Sequence, residues 1–364
     1  MTERTILIVG ASGVVGNAAC DYFARQPDWK VITLSRRAPQ LPLGSAAQHL
    51  AVDLRNPKSC ETALAGLNRV THIVYAALFE KPGLVKGWRE HDQMQINLSM
   101  LRNVLLPLTR SGSQLEHVSL LQGTKAYGVH LHPIAVPARE SQPRDAHENF
   151  YWLQEDLLRE LAQRKEFDFT IFRPQLVFGD ALGVAMNLIP IIGVYAALCA
   201  ASGAPFGYPG GPSNVLEATD ARLLARALAW AATTPSARNQ TFNITNGDVF
   251  VWRNVWPVLA DALGVRVGPD QALSLAKFLP EQTAAWDAIV KAHSLAAPPL
   301  LQLLGESHHY ADFCFGLHAR ETPAPVIVST IKLRQAGFAD CIDTEQMFRD
   351  WFAVLRQRRV LPAP

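Results

Sequence analysis

Two side chains in this sequence could manage an oxygen atom that gains negative charge. One is Tyr151, in the helical stretch 149–160, Asn-Phe-Tyr-Trp-Leu-Gln-Glu-Asp-Leu-Leu-Arg-Glu. The other is Lys125, in the stretch Gln122-Gly-Thr-Lys125-Ala-Tyr127-Gly. A phenol can donate a hydrogen bond to a developing oxyanion, and an ammonium nearby adds positive potential. A phenol that must release its proton gains instead from an ammonium one turn along the same helix face. Glu155 occupies that place, and none of the seven tyrosines has lysine four residues on. A glutamate facing Tyr151 would keep the phenol neutral, which suits oxyanion binding better than proton delivery. The alternatives are a surface glutamate and a tyrosine whose hydroxyl is paired in the core. Tyr127 is a competing donor for the same pocket.

A second group of residues could hold a dinucleotide. An apolar run at 5–9 leads into Gly10-Ala-Ser-Gly13-Val-Val-Gly16 and then a helical pattern to residue 24. Strand, glycine turn and helix in that order let the backbone approach a pyrophosphate, which meets free N–H groups at the helix start. The next apolar run, 31–35, ends in Ser35-Arg36-Arg37. An acidic residue there would hold a ribose 2′-hydroxyl, whereas guanidinium suits a 2′-phosphate. NADP(H) is therefore the expected cofactor. The expected contacts are Gly10, Ser12, Gly13, Val14, Val15, Gly16, Ser35, Arg36, Arg37, Asp53, Leu54, Ala76, Ala77, Gln122, Tyr151, Pro174 and Val177. Asp53 is placed near the adenine, and Ala76 and Ala77 are small enough for close approach.

These residues need a scaffold that brings strand ends together. Strand-like runs at 5–9, 31–35, 50–54, 71–75, 117–121 and 169–172 alternate with helical patterns, one of them at 88–108. That alternation predicts an α/β fold, a Rossmann-type doubly wound parallel sheet over residues 1–180. Beyond residue 179 the pattern loosens, with a Gly- and Pro-rich loop at 204–212. Helical patterns follow at 218–232, 252–263, 282–306, 329–337 and 344–357, with a strand-like run at 241–244. Residues 181–364 are expected to form a smaller C-terminal substrate-binding lobe, with some segments returning to the sheet. The apolar stretch 181–201 is long enough to raise a membrane span, but Pro190 and Gly193 at its centre favour a buried helix. Met186, Asn187 and Tyr195 on it are expected to face the substrate pocket, with core packing the competing role.

The totals narrow the function. A chain of 364 residues can bury a sizeable core, and a net charge of +2 gives no reason to expect nucleic acid or an anionic membrane as partner. Five scattered cysteines, an odd number with no Cys-x-x-Cys, suit reduced thiols in a cytoplasmic protein. The N-terminal stretch lacks the pattern of a secretory leader. His130 and His132, and His308 and His309 near Asp312, lack an evident third ligand, so no metal is expected. A homodimer is compatible with all of this.

Taken together, several stretches resemble the progesterone 5β-reductase/iridoid synthase-like family, the enone 1,4-reductases among extended short-chain dehydrogenases/reductases. Within the sheet they are Gly10-Ala-Ser-Gly-Val-Val-Gly16, Ser35-Arg-Arg37, Thr71-His-Ile-Val-Tyr75, Gly123-Thr-Lys-Ala-Tyr127, Asn149-Phe-Tyr-Trp-Leu-Gln-Glu-Asp156 and Phe172-Arg-Pro174. Beyond it are Met186-Asn-Leu, Val194-Tyr-Ala-Ala197 and residues 242–250, so the likeness spans nearly the whole chain. The resemblance implies that Lys125 and Tyr151 are the catalytic pair. It implies NADPH-dependent reduction of the activated C=C bond of an enone, on a small hydrophobic carbonyl substrate. Ala126 and Trp152 depart from the family's residues without touching that pair. Val129-His130-Leu131-His132 replaces bulky family residues and leaves the substrate open. Two alternatives remain on the same scaffold. A carbonyl reductase or epimerase is opposed by Glu155, and a non-catalytic NADP-binding sensor by the presence of both Lys125 and Tyr151.

Overall fold

Apolar runs without alternation are what strands covered on both faces require. Such runs form β1 (Arg4–Val9), β2 (Trp29–Ser35), β4 (His72–Tyr75), β5 (His117–Leu121) and β6 (Asp168–Pro174), whereas the edge strand β3 (Gln48–Ala51) is short and has no buried residue. A short pair, β7 (Leu176–Phe178) and β8 (Ala218–Asp220), stands apart, and β9 (Gln240–Ile244) closes the main sheet. The order is β3-β2-β1-β4-β5-β6-β9, with every neighbouring pair parallel. The order reverses between β1 and β4, so a crevice opens there at the carboxyl ends of the strands. The computed structural model describes residues 4–110 and 114–363. The first three residues, from which the leader reading starts, lie outside them.

Side chains of β1 alternate between two helical layers, as the period of a strand demands. On one face Ile6 and Ile8 meet Cys20 and Phe23 of α1 (Val14–Ala24). On the other, Leu7 and Val9 meet a layer built by α2 (Pro57–Leu64), α3 (His91–Leu108) and α4 (Phe150–Lys165). α4 starts where it does because the Asn149 side chain accepts from the Tyr151 N–H, an N-cap that puts Tyr151 in the first turn. After α5 (Leu188–Ser202), α6 (Ala221–Thr233) returns to the sheet and packs Leu223, Leu224 and Leu228 beside α1.

The remaining helices form a third core around α5. They are α7 (Trp252–Leu263), α8 (Leu275–Phe278), α9 (Thr283–Ala292), α10 (Leu300–Leu304), α11 (Ser307–Cys314), α12 (Ile331–Gln335) and α13 (Thr344–Gln357). α12 sits against β9, and the others gather on α5, whose residues are buried from Leu188 through Cys199. That burial answers the membrane question: among the described residues no helix is long and apolar enough to cross a membrane.

Several boundaries differ from the expected ones. β3 ends at Ala51, so Asp53 and Leu54 lie in the loop behind it. The helix expected from residue 88 begins at His91, after a separate 3-10 turn, Leu84–Arg89, entered through Gly83 in a left-handed conformation (φ 77°). The helix expected over 282–306 breaks after Ala292 and resumes only behind Pro298 and Pro299, which disfavour helix before them. The pattern at 329–337 shortens to Ile331–Gln335.

Candidate active site

The glycine turn is shaped by what would collide with it. Gly10 has φ +82°, and a Cβ there would lie 2.6 Å from the Ala77 nitrogen. A Cβ on Gly16 would lie 2.2 Å from the Gly10 carbonyl oxygen. Only glycine lets β1, β4 and α1 converge this closely. Gly16 therefore packs beneath the turn and does not line the cleft, which corrects its expected role as a direct contact. The other sixteen expected cofactor residues all lie along one cleft of about 1660 Å³.

Around this end the polar groups are already arranged. The Ser35 hydroxyl donates to the Arg37 carbonyl (2.6 Å), and Arg37 donates to the Gly183 carbonyl (2.9 Å). Arg36 is exposed and lines the cleft. Asp53 is gripped by Arg55 at 2.7 Å, and that hydrogen bond holds its carboxyl below the usual range. A helix N-terminus free of side-chain caps, a backbone a Cβ would block and two guanidiniums at the next strand end fit a dinucleotide with a phosphorylated ribose.

At the other end of the cleft, Lys125 lies in the 3-10 turn Thr124–Tyr127 that follows β5. Asn149 ties it to α4: its side chain donates to the Lys125 carbonyl (3.1 Å) and accepts from the Tyr151 N–H (3.0 Å). The Lys125 ammonium is sealed from solvent. It lies 4.3 Å from the ring centroid of Trp88, 5.8 Å from that of Phe150 and 5.9 Å from that of Tyr151. A Cβ on Gly123 would approach the Tyr151 hydroxyl to 3.1 Å, so the absence of a side chain leaves that oxygen accessible.

The carboxylate that acts on Tyr151 is Glu80, not Glu155. The Glu80 side chain is 2 % exposed, with Oε1 3.7 Å from Lys125 Nζ and Oε2 accepting from Gln93 at 2.7 Å. Burial, and then the Glu80 charge, push the Tyr151 phenol well above its ordinary pKa, against a weaker pull from Arg173. Burial also pushes the Lys125 amine down, which Glu80 opposes, and pushes the Glu80 carboxyl up, which Lys125 opposes. Tyr310 of α11 also feels Glu80, and burial, then Cys314, raise its phenol far above the ordinary value. Nothing in the sequence singled out Glu80, Trp88 or Tyr310. The one available hint was a lone acid just beyond the small pair Ala76-Ala77.

Glu155 is turned to the far side of α4. Its carboxylate is 6 % exposed and accepts from Gln122 (3.1 Å) and Arg159 (2.8 Å), with Arg144 at 3.2 Å and Arg173 at 3.6 Å. Burial works to raise its pKa, but the Gln122 and arginine contacts win and hold it below the ordinary value. It is neither a surface glutamate nor a neighbour of the Tyr151 hydroxyl. Through Gln122, whose other end accepts from Arg173 at 2.8 Å, it braces the floor of the cleft.

Three expected pocket residues lie elsewhere. The Tyr127 hydroxyl donates to Asn243 (2.6 Å) and its ring packs on Ala138 and Val328. Asn187 caps α5 and donates to the carbonyls of Gly179 and Ala181 (2.8 and 2.9 Å). Tyr195 is a core residue whose hydroxyl donates to Gly207 (3.2 Å). None of the three lines the cleft; Met186 does. Its walls also include Trp88, His130, Tyr310 and Phe313, with Trp88 and Phe313 in edge contact at 5.1 Å.

His130 and His132 are not solvated alike. His132 pairs with Asp145 (3.0 Å) outside, while His130 is partly buried against Trp88, and burial lowers its pKa to about 4. Asp312 caps α8 by accepting from Ser274 and Leu275. Among the described residues no group of acids, histidines and cysteines could hold a metal, and all five cysteines are free thiols.

Comparison with known proteins adds to this geometry. The NAD dependent epimerase/dehydratase family matches the chain over residues 6–245. The (S)-8-oxocitronellyl enol synthase of Antirrhinum majus is 31% identical, over 99% of this chain and 93% of its own. The 3-oxo-Delta(4,5)-steroid 5-beta-reductase of Arabidopsis thaliana is 28% identical, over 99% of this chain and 94% of its own. Among solved structures, the Thermus thermophilus UDP-glucose 4-epimerase with NAD superposes with a TM-score of 0.67 at 18% identity. That match covers 97% of this chain and 99% of the other, a likeness of fold.

Proposed function

This chain belongs to the NAD dependent epimerase/dehydratase family, and we propose that it reduces the activated C=C bond of an enone with NADPH. One observation carries the reading. A sealed ammonium, Lys125, lies beside the Tyr151 ring from a separate segment, while the position one turn after Tyr151 holds an arginine-bound carboxylate. The two plant relatives, named for making an enol and for reducing a 3-oxo-Δ4,5-steroid, support the same chemistry.

Reduction at the β-carbon of an enone drives negative charge onto the carbonyl oxygen. Tyr151, held neutral by burial and by Glu80, donates a hydrogen bond to that oxygen and strengthens it as charge develops. Lys125 supplies positive potential behind the phenol. Gly123 leaves room for the oxygen, and Trp88, Phe150, Met186, Tyr310 and Phe313 offer an apolar wall to a small hydrophobic substrate. NADPH, when bound, would supply the hydride to the β-carbon, and a proton from water would go to the α-carbon as the enolate becomes the saturated ketone. The glycine turn would hold its pyrophosphate, and Arg36 with Arg37 its 2′-phosphate. In this reading residues 1–180 hold the cofactor. Residues 181–364 are mostly the substrate-binding lobe, with segments that include 221–244 returning to the sheet. The protein would work in the cytoplasm, as a homodimer that sedimentation would detect.

A carbonyl reductase or epimerase needs the phenol to release its proton, and the position one turn after Tyr151 holds the arginine-bound Glu155 where an ammonium would lower its pKa. Incubating the protein with NADPH and a cyclic enone separates the readings. A saturated ketone supports enone reduction. An allylic alcohol would transfer the protein to the carbonyl reductases, and tight NADPH binding without turnover of any enone would make it a sensor.

A further inference from the structure

Lys125 is an unusual place to keep a charge. Its nitrogen is out of contact with solvent, has no hydrogen-bond partner, and is ringed by Trp88, Phe150 and Tyr151. Aromatic faces attract a cation but do not neutralise it. The one carboxylate within ion-pair distance, among the described residues, is Glu80 at 3.7 Å. Glu80 is held for this task. Gln93 on α3 donates to its Oε2, and the Gln93 side-chain oxygen, Oε1, in turn accepts from the Lys81 N–H (3.0 Å). That leaves Oε1 without a hydrogen bond, on the side of the ammonium.

We propose that Glu80 is a positioning residue of the reaction: oriented by Gln93, it keeps the proton on Lys125 and so sustains the positive potential behind Tyr151. The inference rests on the enone-reductase reading for its functional meaning, but not for its physical content. A lone ammonium among three rings would shed its proton to escape burial. Two unit charges this close attract strongly at the effective dielectric of a protein, which offsets that tendency. The groups facing the pair are few. Tyr151 of α4 and Tyr310 of α11 feel Glu80, while Gln93 of α3 and Trp88 of the 3-10 turn flank it. His130 feels Lys125, and Arg173 acts on Tyr151. Glu80 therefore favours the protonated form of both Lys125 and Tyr151. Its neutralisation should let both lose protons at lower pH.

The test is Glu80→Gln, which keeps size and hydrogen bonding but removes the charge. Lysine side-chain NMR on isotope-labelled protein, with the Lys125 resonance assigned by its loss in Lys125→Met, reads protonation without any turnover. The proton affinity of Lys125 should fall by about tenfold or more, a full pH unit. The alkaline limb of kcat/KM for a cyclic enone should move down with it, and Glu80→Asp should restore part of both. If Glu80→Gln does not fold, Gln93→Leu is measured instead and should give a smaller shift in the same direction. An unmoved Lys125 titration in the folded variant would overturn the proposal, whatever the enzyme turns over. A shifted titration in a protein that reduces no enone would keep the pair and remove the reductase reading.

Discussion

The two ends of the cleft are built by different means. At the cofactor end the decisive feature is the absence of atoms: no Cβ at Gly10 or Gly16, because backbone already fills the space at 2.6 and 2.2 Å. At the chemical end the decisive features are groups brought from far apart in the chain: Glu80 pairs with Lys125, Lys125 lies against the Tyr151 ring, and Tyr151 and Tyr310 feel the Glu80 charge. The first kind of site is imposed by local geometry and tolerates no variation. The second is a balance of charges and burial, in which one member can be exchanged while the shape survives. Variants at the two ends should therefore fail differently.

The largest effect is expected at the chemical end. Tyr151→Phe removes the donor and leaves the ring, so NADPH affinity should fall far less than kcat for an enone, which drops about 10²–10³-fold, the loss typical of one oxyanion donor. Equal loss of cofactor binding would mean that the two ends are not separable. Next comes Gly10→Ala. A methyl group at φ +82° and 2.6 Å from the Ala77 nitrogen must displace β4 or β1. Strain of about 2–3 kcal/mol should weaken NADPH binding by roughly 30- to 100-fold. Fluorescence titration with NADPH checks it, and near-native affinity would show that the turn yields more readily than its contacts suggest.

The same contrast explains what could be read from the sequence. The glycine spacing, the Ser35-Arg36-Arg37 strand end and the parallel sheet follow from local pattern, because each is a property of consecutive residues. β9 and α6 were visible as a strand and a helix, yet which strand edge receives them depends on long-range pairing that no period encodes. Tyr127, Asn187 and Tyr195 were drawn to the pocket by their type. Each has a hydrogen bond that turns it into the core instead: Tyr127 to Asn243 across the fold, Asn187 to the Gly179 carbonyl and Tyr195 to the Gly207 carbonyl. Glu80 is the sharpest case. Its importance comes from Lys125, forty-five positions away, and from Gln93, and neither is linked to it by any spacing rule.

Glu155 tests whether the floor under Tyr151 is an electrostatic structure as well. Its buried carboxylate faces Arg159, Arg144 and Arg173, so Glu155→Gln leaves those guanidiniums short of a counter-charge and should cost about 1–3 kcal/mol of stability. Because its folded-state pKa lies below that of the unfolded chain, the stabilisation is present above about pH 4.3 and is lost as pH falls through the folded value. The variant should thus lose stability at neutral pH and show a flatter acid limb in urea denaturation. An unchanged dependence on pH between 5 and about 3 would sink this account.

The smallest effect belongs to the cofactor end, and it depends on which arginine carries the preference for a 2′-phosphate. Arg37 already donates to the Gly183 carbonyl, which ties it to the segment beyond β7. No hydrogen bond or ion pair among the described residues engages Arg36, although its charge is felt by Asp53. Both side chains are exposed, so the interaction is screened by salt. Arg36→Ala should therefore lower the NADPH-over-NADH preference in kcat/KM by roughly tenfold, about 1.4 kcal/mol, and by less at high ionic strength. Arg37→Ala should reduce it less, while loosening the contact with Gly183. Equal losses in the two variants would mean that Arg37 leaves Gly183 to meet the phosphate. The strand end would then be a pair of interchangeable charges, unlike the fixed glycines a few ångströms away.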